Sequence, residues 1–169
     1  MRYFNTLRED SNSKKTFSPQ QARSKAESYC AYQERSQQEV RDKLYEWGLH
    51  QTDVEQIISE LISANFLNEE RFAMAYTLGK FRIKNWGKIK IKYSLKLKRV
   101  PDKMIQKSLN AIDPDDYRRT LQNLLEKKIN LIREIDPYKR QAALHRYAAS
   151  KGFESELISE SIKELEARR

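Results

Sequence analysis

Nine lysines and arginines, and no aspartate or glutamate, fall between Lys80 and Arg99. Within that stretch Lys88, Lys92, Lys96 and Arg99 recur every three or four residues, the interval that aligns side chains along one side of an α-helix. The chemistry open to such a row is electrostatic. Ammonium and guanidinium groups in line attract phosphates or a carboxylate-rich surface, with an affinity that falls as salt rises. The chain carries 33 Lys and Arg against 24 Asp and Glu; once these nine are set aside the remainder balances, so the net charge of +9 belongs formally to this one stretch. Lysine predominates, which suits point-charge attraction more than the reading of base edges, where arginine is commoner. The competing reading is a solvated helix face, although so many like charges without a counter-charge repel one another in a purely structural helix. Lys84 adds to the cationic run, and Trp86 is either a stacking platform for a base or partner ring or a packing residue beside a helix break.

Other residue types offer less. His50 and His145 stand alone without metal-ligand spacing, and Glu69 and Glu70, being adjacent, project from different sides and suit a helix N-terminus. Cys30 is the single cysteine, so no disulfide can form within the chain. No glycine-rich phosphate loop, metal cluster or nucleophile at motif spacing is present. The expectation is a non-enzymatic protein with no catalytic residues, no metal and no cofactor.

The elements that must position the basic stretch are helices. Four glycines and four prolines in 169 residues leave little turn chemistry, while 34% of residues are charged and 38% hydrophobic. Ser18-Pro19-Gln20-Gln21, Ser36-Gln-Gln-Glu39 and Thr52-Asp-Val-Glu55 each read as a capping box that opens a helix. Val40, Leu44 and Trp47 mark one apolar face, and Val54, Ile57, Ile58, Leu61 and Ile62 another. Asn68 or Glu69 opens a helix that Trp86-Gly87 breaks; Pro101, Asp113-Pro114 and Asp136-Pro137 open three more. Residues 1–18 are polar and read as a disordered lead-in. The opening residues lack the apolar run of a signal peptide, and no stretch approaches the ~20 apolar residues of a membrane span, which implies a soluble cytoplasmic protein.

A repeat underlies the pattern. With Gly48, Arg99 and Gly152 as anchors, the next residues are Leu49, Val100 and Phe153; six later come Val54, Ile105 and Ile158. Ten later stand Ile58, Leu109 and Ile162, and thirteen later Leu61, Ile112 and Leu165. Eight earlier stand Val40, Ile91 and Leu144, and four earlier Leu44, Leu95 and Ala148. The fold class expected is therefore all-α, three tandem three-helix repeats in an elongated, curved arrangement. The units are placed at 19–66, 67–113 (central and basic) and 114–169. The repeat also decides the nature of 87–99. Its polar–apolar alternation is a strand signal when taken alone, but the matching segments at 37–47 and 137–151 are helical. As a helix it shares Ile91 and Leu95 with the other units and adds a second apolar face, Ile89, Tyr93 and Leu97, where unit one has Gln38, Asp42 and Glu46. That face is expected to contact either neighbouring units or a protein partner.

The segment Asn68-Glu-Glu-Arg71-Phe72-Ala73, the spacing of Gly87, Ile91 and Leu95, and Leu61 with Phe66-Leu67 resemble the RecX family of bacterial regulators, over roughly residues 22 to 168. The chain is richer in Lys and Asn, and poorer in Arg and Gly, than the family. The resemblance implies a cytoplasmic, non-enzymatic modulator linked to DNA repair and the SOS response. Its partners would be the RecA protein and the RecA–DNA filament, along whose groove RecX proteins lie and whose recombinase and ATPase activities they usually inhibit. It also singles out Arg71. The contact residues expected are thus Lys84, Trp86, Lys88, Lys92, Lys96, Arg99 and Arg71, on a monomer with at most weak, non-specific DNA contact of its own. The alternatives are a stand-alone helix-turn-helix-type DNA-binding protein, suggested by the short turns at Trp47-Gly48-Leu49 and Arg99-Val100-Pro101, and a structural helical adaptor.

Overall fold

A computed structural model describes residues 16–168. Among them the chain forms nine α-helices and no strand: α1 (Pro19–Tyr32), α2 (Gln37–Glu46), α3 (Gln51–Ser63), α4 (Glu69–Lys84), α5 (Lys88–Leu97), α6 (Asp102–Asn110), α7 (Pro114–Ile129), α8 (Pro137–Lys151) and α9 (Ser155–Ala167). Each helix packs principally against the other two of its own triplet, giving three three-helix units in tandem. Of the expected lead-in, residues 1–15 lie outside the described residues, whereas Phe17 packs edge-on against Trp47 and donates its N–H to the Trp47 carbonyl.

Local sequence sets most helix ends. Ser18 with Gln21, and Ser36 with Glu39, form reciprocal capping boxes, and Asn68, Asp113 and Asp136 cap α4, α7 and α8 through their side chains. The third expected box does not form. α3 begins at Gln51 with His50 as an N-cap that makes no side-chain bond. Thr52 therefore falls inside the first turn, and the Glu55 carboxylate accepts from Arg41 Nε and Nη2, at 2.7 and 3.0 Å. Ile62 also departs from the expected apolar face and is 43% exposed, while Val54, Ile57, Ile58 and Leu61 are buried.

The three anchors of the repeat share one backbone geometry. Gly48, Arg99 and Gly152 have φ of 87°, 57° and 93°, the left-handed conformation that ends the middle helix of each unit. The residue after each one, Leu49, Val100 and Phe153, drops into the core.

The buried side chains form two cores. One, from Ala22 to Leu67, belongs to the first unit. The other runs without a break from Phe72 to Ile162 and serves the second and third units together. Tyr117 is its bridge: its ring lies 5.8 Å from that of Phe81 and 5.0 Å from that of Phe153.

Candidate functional site

The stretch from Lys80 to Arg99 comprises the last turn of α4, a left-handed joint at Asn85, and α5. The strand-like alternation resolves as a helix. Ile91 and Leu95 are fully buried, whereas Ile89, Tyr93 and Leu97 are 54, 65 and 67% exposed. The second apolar face therefore faces away from the neighbouring units.

α5 has no side-chain cap at its start. The opposite end of α8 takes that role. Gly87 N–H donates to the Lys151 carbonyl at 2.8 Å and Ile89 N–H to the Gly152 carbonyl at 3.0 Å, while Lys88 N–H donates to the Tyr117 hydroxyl at 2.8 Å. The free N–H groups of one helix thus meet the free carbonyls of another, and the two macrodipoles meet positive end to negative end. The Tyr117 hydroxyl in turn donates to the Glu154 carboxylate at 2.7 Å. Burial, opposed by the Lys88 N–H and reinforced by Glu154, pushes the phenol well above its ordinary pKa and keeps it a neutral donor.

Lys88, Lys92 and Lys96 lie in line on α5. Lys92 is exposed and makes no ion pair among the described residues; the Lys88 ammonium sits 4.9 Å from the centre of the Tyr117 ring; Lys96 reaches Asp102 at 3.3 Å. Arg99 is exposed and lines a cleft of about 190 Å³ between the first and second units, with Gln37, Gln38 and Arg41. Lys84 is exposed on the last turn of α4. Trp86 is half-buried against the shared core, with the ammonium groups of Lys80 and Lys90 at 5.0 and 4.8 Å from its ring.

Arg71, singled out by the resemblance, and Lys98, on α5 beside the stripe, hold the fold instead. Arg71 pairs with Glu34 and donates to Asn65 Oδ1 at 3.1 Å and to the Asn65 carbonyl at 3.2 Å, which ties α4 to the first unit away from the stripe. Lys98 donates to Glu39 at 2.6 Å, again between the first and second units. Burial opposes ionisation of Glu39, but the Lys98 ammonium and the Ser36 N–H outweigh it, so its carboxyl titrates below the usual value. Beside it Glu69, only 7% exposed, accepts the Gln37 N–H at 2.9 Å; burial raises its pKa, since a single backbone bond compensates only in part. The pairings of Arg71 with Glu34, Lys98 with Glu39 and Gln37 with Glu69 had no local signal, because their partners stand 37, 59 and 32 residues apart. A pattern read along one helix finds the stripe but not which of its members are already engaged.

Among the described residues no group of three or more His, Cys, Asp or Glu could hold a metal ion, and no helix is long and apolar enough to cross a membrane. The exposed features of the site are a cationic row and an apolar row side by side on α5.

Comparison with known proteins gives a consistent result. Three family profiles match in order: "RecX, first three-helix domain" at residues 22–61, "RecX, second three-helix domain" at 68–109 and "RecX, third three-helix domain" at 115–162. Regulatory protein RecX of Clostridium perfringens (strain 13 / Type A) is 34% identical over 133 residues, which are 78% of this chain and 62% of that protein. The chain thus spans less than two thirds of that relative. Regulatory protein RecX of Prosthecochloris aestuarii is 29% identical over 85% of this chain and 93% of its own length. The crystal structure of RecX from Lactobacillus salivarius matches with a TM-score of 0.80 and 25% identity, over 88% of this chain and 97% of that one.

Proposed function

Because the chain belongs to the RecX family, we propose that it regulates the RecA recombinase, binding the RecA–DNA filament and lowering its recombinase and ATPase activities during DNA repair. It acts in the cytoplasm as a non-enzymatic monomer. The observation that carries this reading is the α5 surface: the whole net charge of +9 is concentrated in and around a helix that also keeps three apolar side chains in solvent. Lys88, Lys92, Lys96 and Arg99 supply the electrostatic attraction, toward phosphate or toward acidic recombinase surface, and Lys84 and Trp86 border the same helix. Three units in series reach neighbouring protomers, so several weak contacts add through effective concentration.

The test is a titration of the protein into RecA on single-stranded DNA at low salt, followed by ATPase rate and strand exchange. Dose-dependent inhibition is expected. Unchanged rates at saturating protein sink the proposal. Reversing Lys88, Lys92, Lys96 and Arg99 to Glu should abolish filament binding while the helical circular-dichroism signal stays; binding that survives the reversal removes the stripe from the reading.

A further inference from the structure

Ile89, Tyr93 and Leu97 follow one another at intervals of four along α5 and are more than half exposed. The equivalent positions in the other units hold Gln38, Asp42 and Glu46, and Ala142, Arg146 and Ser150, so this apolar row is particular to the middle unit. Internal contacts hold α5 from behind. On that flank Lys90 donates to the Ser150 carbonyl, Ser94 bonds the Tyr76 hydroxyl and Lys98 is paired with Glu39. On the other flank Lys92 makes no ion pair among the described residues, and Lys96 has only an exposed contact with Asp102. The result is an outward-facing apolar ridge with a cationic border on one side.

We propose that this ridge docks an acidic amphipathic α-helix of the protein partner. Isoleucine and leucine offer nothing to a phosphate and gain from burial against apolar surface, as the Tyr93 ring between them does, so the ridge as a whole fits an apolar protein surface. Its length from Ile89 to Leu97, eight steps of ~1.5 Å, is about 12 Å, the extent of contact between two crossing helices. The matching segment presents apolar side chains at i, i+3 or i+4, and i+7, with Asp or Glu on the flank that meets Lys92 and Lys96. The proposal rests on the RecA reading only for the identity of the partner; the class of ligand follows from the ridge itself.

The test has two arms, both with the full chain. In the first, fluorescence anisotropy follows a labelled synthetic helical peptide of about five turns with a leucine stripe flanked by Glu, against the same peptide with Lys for Glu. The Glu peptide should bind, and the Lys peptide should bind about tenfold more weakly or worse. In the second, co-sedimentation with RecA–DNA filaments compares the wild type with the triple variant Ile89→Ser, Tyr93→Ser, Leu97→Ser. These side chains are exposed, so the helical signal should persist while affinity for both peptide and filament falls by about tenfold or more. Equal affinity of variant and wild type overturns the proposal, as does equal binding of the two peptides. A wild type that dimerises through this face, with dimers lost in the variant, also overturns it, since the occupant is then a second copy. Glu-peptide binding lost in the variant, with no filament binding by the wild type, refutes the RecA reading and upholds the ridge.

Discussion

Gly87 and Gly152, from different units, meet without room for a methyl group between them: a Cβ on Gly87 would stand 2.2 Å from the Gly152 carbonyl oxygen. This approach lets the start of α5 use the end of α8 as its cap. Gly87 is therefore fixed by neighbouring backbone, which cannot move aside as a flexible side chain does, and Gly152 is further fixed by its positive φ.

Gly87→Ala should accordingly cost about 2–4 kcal/mol of stability, because the added methyl meets backbone on the facing unit. Gly79 is the internal control. It lies within α4 with nothing near its would-be Cβ, so Gly79→Ala should stabilise by about 0.5–1 kcal/mol. Urea melts of the two variants against the wild type check both signs. A Gly87→Ala protein as stable as the wild type would show that the two helix ends are not truly in contact.

Tyr117→Phe keeps the ring between Phe81 and Phe153 but removes the hydroxyl that serves Lys88 N–H and Glu154. The expected loss is about 1–3 kcal/mol, the cost of leaving a buried donor and a carboxylate oxygen without their partner. Amide exchange at Lys88 should quicken more than exchange at Leu44, in the equivalent middle helix of the first unit. Equal acceleration at both would point to a global effect instead.

Glu39→Gln should weaken the seam between the first two units in a pH-dependent way. The folded pKa of Glu39 lies below its unfolded value, so its contribution is present above the ordinary glutamate pKa of ~4.3 and is lost as pH falls through the folded value. The variant should be less stable than the wild type by about 1–2 kcal/mol near neutral pH, and the gap should close in acid. Glu69 works in the opposite sense: its raised pKa makes its charge a cost above that pKa, and protonation in mild acid relieves it. Chemical melts at both pH values decide; a gap that persists in acid would remove the ionised pair as its source.

Arg99 occupies a left-handed position that the other two units fill with glycine. Arg99→Gly should therefore raise stability by about 0.5–1 kcal/mol. The same change removes an exposed guanidinium and should lower filament affinity at low salt. A variant that gains stability and loses binding would separate the two roles; one that loses stability would assign Arg99 a packing role in the cleft with Gln37, Gln38 and Arg41.

The sequence was informative wherever one helix or one turn decides the outcome. Ser18, Ser36, Asn68, Asp113 and Asp136 cap where their types suggest, and the recurrence of Val40, Ile91 and Leu144 reports three equivalent core positions, each fully buried. The alternation in α5 misleads only when taken alone, because the repeat supplies the missing context. Thr52 failed because α3 already begins at Gln51, which leaves Thr52 inside the first turn, and Glu55 pairs with Arg41 instead of reaching back to a cap. The sequence displays a row of charges, but not which cations in and around it are already engaged within the fold. Lys98, Lys90 and Arg71 are committed by Glu39, Ser150 and Glu34, residues far along the chain that no periodicity connects to them.

The two cores give the chain an unequal grammar of parts. The first unit closes its own interior by Leu67, so a break between α3 and α4 would part the protein along a seam made of ion pairs and a helix cap. No such seam divides the other two units. Removing the last one would take Tyr117 and Phe153 from around Phe81 and leave α5 without the carbonyls that begin it. A duplication or deletion that keeps this protein foldable must therefore move α4–α9 as a single cassette, while α1–α3 can be exchanged as one.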